Sequence, residues 1–387
     1  MSKYIGEELK RVIIKKKIFI IIIIMVTIAF GIINVSKTET LEANLQGDKA
    51  LLNIQKSSRD KAETELKKAE FSRDIIGTEK EIADIEEQLN TINNYDKSKL
   101  DEQIQKLEKE NNPKNEYKID QLKYEKEHNI EKSELTPRGT YRTIEILMVF
   151  IPMIFLLSMI VLLSDIVSGE YAPNTIKSLI TRPISRKKII ISKFIVSIIL
   201  STSTIIISTT IFILEAGIRL GFSDYRLPFD VGAKYVLDKS LPLTSLTSQM
   251  KYVPGSRTMI PLWSSIIILV LITIIVSMAI VSIIIFISTV CKNSLISALT
   301  NFILICGTAI WYVLGFAGRN LVSAKYGVLV KFFPIPYIID DLQILTGAIS
   351  QQLTSSINIL FVLMVCFGWI LTMMFLSTYI FGKRDFD

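Results

Sequence analysis

Six long apolar runs, near residues 18–35, 144–164, 189–214, 262–290, 295–316 and 357–381, carry no charge in their middles. Each is long enough, at about 1.5 Å per residue, to cross a hydrocarbon core of roughly 30 Å. Half of the residues are hydrophobic (50%), and they cluster in these runs instead of recurring at amphipathic spacing. Inside lipid each backbone N–H and C=O must be satisfied within its own segment. The expected fold is therefore an all-α membrane protein with six transmembrane helices.

The basic residues orient it. Six Lys and Arg precede the first run, five more (Lys177, Arg182, Arg186, Lys187, Lys188) follow the second, and Lys383-Arg384 follow the last. Lys and Arg accumulate on the cytoplasmic side, so both termini are expected in the cytoplasm. The first run lacks a small-residue cleavage site and reads as an uncleaved anchor. The expected division is a cytoplasmic amphipathic segment 1–17, then TM1 18–35, an extracytoplasmic domain 36–143 and TM2 144–164. A cytoplasmic loop 165–188 follows, then TM3 189–214, an outer loop 215–261 and TM4 262–290. A tight turn at 291–294 leads to TM5 295–316, an outer or re-entrant segment 317–356, TM6 357–381 and a tail 382–387.

The long polar stretch behaves differently. Residues 34–143 hold 20 Lys and Arg against 24 Asp and Glu, so the excess of basic residues lies at the membrane flanks. That placement suits lipid headgroups and gives no support to nucleic-acid binding. Ile82, Ile85, Leu89 and Ile92 follow coiled-coil spacing, and Leu45, Leu52 and Leu66 fit a seven-residue period. The expectation is a helical coiled-coil insertion: one hairpin with arms near 40–92 and 98–135, turning at Asn93-Asn94, with a break at Asn111-Asn112-Pro113.

Catalytic chemistry finds little to work with. The one histidine, His128, sits in the charged stretch, and Cys291, Cys306 and Cys366 match no metal-ligand spacing. There is no phosphate-binding Gly-x-x-x-x-Gly-Lys-Ser/Thr loop and no His-Glu-x-x-His. Only about 50 residues are expected in the cytoplasm, too few for an ATPase domain by the size of ordinary domains. The chain is read as no enzyme, with no catalytic, cofactor or metal residues of its own. TM3 carries a stripe of small polar residues, of which Ser197, Ser201, Thr204 and Ser208 share one face. Such residues pack helices together or line a path.

The loop after TM2 is the most informative segment. Asp165 opens it, Ser168-Gly169-Glu170-Tyr171 follows, then Asn174-Thr175, then Thr181-Arg182-Pro183-Ile184-Ser185-Arg186, with Lys193 opening TM3. This string resembles the loop of ABC type-2 exporter permeases, with Asn174 where that family usually has Gly. The amphipathic residues 2–16 resemble the family's connecting helix, with Tyr4, Ile5, Leu9, Val12 and Ile13 expected on the lipid. The apolar Phe332-Phe333-Pro334-Ile335-Pro336-Tyr337 resembles its re-entrant helices. The domain between the first two spans resembles that of the subgroup with sodium-efflux and peptide-resistance permeases.

The resemblance implies a multi-pass protein of the bacterial cell membrane that exports cargo. It implies a second permease copy and a separate ABC ATP-binding subunit that holds the ATP. The coupling loop would carry Asp165, Gly169, Glu170, Thr175, Arg182, Pro183 and Arg186. Glu170 would start a coupling helix, where an acid suits the positive helix end, and Asp165 and Glu170 could pair with ATPase bases. The alternative is a membrane scaffold or sensor that presents an extracytoplasmic coiled coil.

Overall fold

The computed structural model describes residues 2–14, parts of 19–31, 41–61, 65–93, 100–110, 115–130, 154–171, 185–220, 222, 225–241, 249–314, 329–353 and 355–384. The protein is mostly helical. Two compact units emerge: Met1–Ile28, Glu145–Ile213 and Phe229–Asp387 form one, and Ala29–Ile144 with Leu214–Pro228 form the other.

The first unit holds the membrane helices apart from the end of the one that begins at Arg186. Among the described residues four are long and apolar enough to cross a membrane: Arg186–Arg219, Leu262–Val290, Ser294–Val313 and Ile359–Lys383. Runs 18–35 and 144–164 are helical at 19, 21–24, 26–28, 30–31 and 154–163, and their remaining residues lie outside the description. We label α1 Ser2–Ile14, α6 residues 154–163 and α7 Arg186–Leu220. Helix α8 is Leu262–Val290, and α14 is Ile359–Lys383. Helix α8 begins at Pro261, whose extended backbone and missing N–H suit a helix entrance. Its 29 residues give about 43 Å of helix. It packs along α14, and Val276, Ala279 and Ile280 of α8 and Val362, Val365 and Cys366 of α14 are buried.

Short polar residues punctuate the apolar stretches. Asn293 caps α9 (Ser294–Asn301) by accepting from the N–H groups of Leu295 and Ile296, at 2.8 and 3.4 Å. Asn358 caps α14 by accepting from Phe361 N–H at 2.8 Å. Both satisfy helix-start donors that lipid could not. After α9 the helix widens to a π-turn over Phe302–Cys306 before α10, Gly307–Leu314.

Between α7 and α8 the described residues form four short strands, which the apolar and polar pattern did not announce. They are β1 Pro228–Val231, β2 Tyr235–Leu237, β3 Met250–Tyr252 and β4 Thr258–Pro261. Strand β1 pairs with β4, and β2 pairs antiparallel with β3 so that Tyr235 faces Tyr252 and Leu237 faces Met250. Three short helices follow α10 across an undescribed gap: α11 Ile335–Ile339, α12 Asp341–Thr346 and α13 Ile349–Gln352. They dock on the strand region through backbone, with Gly232 and Ala233 N–H donating to the Leu345 and Thr346 carbonyls at 3.0 Å each. Gly347 closes this seam with a φ of +87°. A Cβ there would lie 1.9 Å from the Ala233 carbonyl oxygen, so no other residue fits.

The second unit corrects the expected single hairpin. Its helices are α2 Leu41–Asp60, α3 Glu65–Asn93, α4 Leu100–Lys109 and α5 Glu116–Glu127. Helices α2 and α3 lie antiparallel, with Lys49 on Glu86 at 2.7 Å and Lys56 on Glu79 at 3.0 Å. The chain thus reverses direction between α2 and α3, inside what the sequence suggested was one arm. Ile75, Thr78 and Ile82 of α3 are buried, while Leu45, Leu52, Ile85 and Leu89 are half-buried. The side chains of Leu66 and Ile92 lie outside the description. Helices α4 and α5 make a second, smaller pair around Leu100, Ile104 and Leu122, tied by Lys123 to Glu108 at 2.7 Å and by Lys126 to Asp101. The thin apolar seam explains the difference. Two short pairs bury these few residues on closer partners than one long pair would.

Candidate functional site

Helix α1 presents Tyr4, Glu8 and Val12, spaced four apart and so on one face, and all three are buried. The expectation that Tyr4 and Val12 lie on lipid is therefore corrected: this face packs into the protein. Ile13 and Ile14 are exposed, and Ile5 and Leu9 are half-buried. An acid in the middle of a buried face needs a partner. Glu8 finds two.

The first is Lys193, in the second turn of α7 and only 1% exposed. Its ammonium donates to Glu8 Oε1 at 2.5 Å, to the Ile166 carbonyl at 2.8 Å and to Glu170 Oε1 at 3.0 Å. A lysine has three N–H donors, and all three are used. The second is Arg11, one turn along α1, which donates to Glu8 Oε1 at 2.6 Å and also pairs with Glu170. Glu170, 3% exposed, thus accepts from both cations. Two acids and two bases balance, which is the condition under which buried charge is tolerated. The cluster joins α1, the end of α6 with its following turn, and α7.

Glu170 is held in place from below. After α6 the chain makes a turn at 164–167 and a short 3-10 helix, Ser168–Glu170. The N–H groups of Val167 and Ser168 donate to Ser288 Oγ of α8, at 3.2 and 3.1 Å. The Ser164 carbonyl accepts from Ser168 Oγ at 3.1 Å and from Ser297 Oγ of α9 at 2.5 Å. The next residue, Tyr171, accepts from Arg384 at 2.9 Å. The same Arg384 covers the last carbonyls of α8, Thr289 at 2.6 Å and Val290 at 2.8 Å, where a cation suits a helix end. Arg186 donates in turn to the carbonyls of Arg384, at 2.8 Å, and Gly382, at 3.3 Å. Burial pushes the Tyr171 hydroxyl pKa up, and the neighbouring Arg384 pulls it back.

Of the residues expected in the coupling loop, Glu170 and Arg186 join this framework. Glu170 is buried and pairs with Lys193 and Arg11 of its own chain. Asp165 is half-buried, and its carbonyl accepts from Gly169 N–H at 2.9 Å. A Cβ on Gly169 would meet the Asp165 side chain at 3.4 Å. Thr175, Arg182 and Pro183 lie outside the described residues. On α7, Ser197, Ser201, Thr204 and Ser208 are all buried. The hydroxyls of Ser197, Thr204 and Ser208 bond back to the carbonyls of Lys193, Leu200 and Thr204, at 2.8, 2.8 and 2.6 Å.

The residues that sequence reasoning passed over are Glu8, Arg11, Ser288 and Arg384. Glu8 left a signal, an acid four residues from both Tyr4 and Val12, within reach of Arg11. Ser288 and Arg384 left none, because their partners lie about 100 residues or more away along the chain. The carboxylates Asp340 and Asp341, at the start of α12, were also passed over and are buried. Tyr312 of α10 donates to Asp340, and Thr273 of α8 contacts Asp341 at 2.8 Å. Among the described residues no group of His, Cys, Asp and Glu is arranged to hold a metal ion.

No curated protein and no solved structure matches the chain. One family model does, over residues 5–386, and that range takes in both the amino-terminal helix of the cluster and the Arg384 that closes it. With a match across nearly its whole length, this chain belongs to the family described as ABC-2 family transporter proteins.

Proposed function

We propose that this membrane permease of an ABC transporter is the cargo-conducting half of an exporter, driven by a separate ATP-binding subunit that docks on residues 165–188. The supporting observation is the cluster of buried Glu8, Glu170 and Lys193 with half-buried Arg11. It locks the residue where the loop leaves the membrane to two helices at once. A push on the loop therefore reaches α1 and α7 together instead of dissipating in a flexible tether. Ser288 and Arg384 extend the same base to α8 and α14. The cluster faces the cytoplasm in this reading, because the basic flanks lie at that end. A second permease copy completes the path, and ATP is bound only by the partner.

The test uses the chain co-assembled with its ATP-binding subunit in liposomes. Glu170→Ala is expected to leave the complex assembled and ATP hydrolysis measurable while cargo movement per ATP falls at least tenfold. Cargo movement per ATP equal to wild type would reject the coupling role.

A further inference from the structure

Helix α14 carries an open apolar groove near its amino end. Its volume is about 580 Å³, and its lining includes Phe332, Phe361, Met364, Gly368, Trp369 and Met373. That size suits a small apolar ligand or chain segment. The groove is shaped by fixed parts. Gly368 lies along its floor, and a Cβ there would meet nothing within 4 Å, so a larger side chain at this position would project into open space. Trp369 cannot swing in to fill it, because its indole N–H is held by the Phe332 carbonyl at 2.6 Å and its ring packs on Phe333. Phe332 and Phe361 meet at 5.7 Å between centroids to form the upper end.

A cation, Lys331, stands at that upper end. Lys331 Nζ lies 5.6 Å from the Phe332 ring centroid and 5.8 Å from that of Phe361. Its one hydrogen bond among the described residues is to Ser355 Oγ at 3.4 Å, and no carboxylate there neutralises it. The distance along the helix is also informative. From Phe361 to Met373 is twelve residues, or about 18 Å of helix rise, against about 15 Å for one leaflet of hydrocarbon. A positive charge at the membrane surface with an apolar channel one leaflet deep beneath it is the outline of an anionic phospholipid.

We propose that this groove binds one anionic phospholipid of the adjoining leaflet, its phosphate on Lys331 and one acyl chain along Met364, Gly368 and Met373. A lysine beside an anionic headgroup favours it about fivefold over a zwitterionic one.

The experiment is native mass spectrometry of the full chain, released from membranes containing phosphatidylglycerol and phosphatidylcholine in equal amounts. Wild type is expected to retain one phosphatidylglycerol per chain in about fivefold preference. Lys331→Gln, at a half-buried rim position, is expected to keep a bound lipid but lose the preference. Gly368→Phe, which fills the floor, is expected to lose the lipid altogether. If Gly368→Phe does not insert, Met364→Trp blocks the same space from the exposed side. Equal retention of the two lipids by wild type would overturn the proposal. So would a disulfide between two copies of Met364→Cys under mild oxidation, which would show that a second chain covers the groove.

Discussion

At the scale of single residues, Lys193 decides whether two carboxylates can remain buried. Its ammonium lies between Glu8 and Glu170, and Arg11 reaches the same two acids from the other side. Breaking such a group by removing one partner strands charge in a medium that solvates it poorly, at a typical cost of about 3–5 kcal/mol. Arg11 remains in place, so Lys193→Met is expected at the lower end, about 3 kcal/mol. Lys193→Met combined with Glu170→Gln should recover a large part of that loss, because the stranded charge is then gone. Thermal unfolding of the purified chain measures both. Losses that simply add would show that Lys193 and Glu170 act independently.

At the scale of elements, α12 is fixed to α8 by a contact whose protons can be counted. Thr273 has one hydroxyl proton and two acceptors in reach, the Leu269 carbonyl at 2.9 Å and Asp341 Oδ2 at 2.8 Å. A protonated Asp341 supplies the missing proton. Burial raises its carboxyl to about 7, with adjacent Asp340 adding to the shift and the Leu342 N–H opposing it. The neighbouring Asp340 is itself bonded by the Tyr312 hydroxyl. A carboxyl raised on folding holds its proton longer in the folded state, so its contribution is full below about 4 and declines as pH rises to about 7. Above that it is flat. Asp341→Asn keeps a neutral donor and is expected to remove this decline, seen as an unfolding midpoint that changes less between pH 5 and 8 than in wild type. Parallel curves would mean that Asp341 carries no titrating role.

At the scale of the whole molecule, two compact units with separate interiors predict separable behaviour. Replacing residues 40–135 with a short flexible linker is expected to leave the membrane unit inserted and folded, since it is a compact unit by itself. If the outer domain meets cargo or an envelope partner, export by this variant falls while ATP hydrolysis persists; normal export would reject that role. What the sequence determined alone is whatever lipid and local geometry impose. Apolar runs too long for a soluble helix became helices, four of them whole among the described residues, and Glu170 and Lys193 stood out in a recognisable string. The distance-dependent features needed the tertiary structure. Coiled-coil spacing in 40–92 could not say where the chain would double back, because a short pair and a long pair use the same residues. The strands at 228–261 are three or four residues long, too short for a period to register. The enclosure of Glu170 by Arg11 and Lys193 arises only when α1 is folded against α7. Burial decides the state of a charged group, and burial belongs to the assembled chain and to no stretch of it.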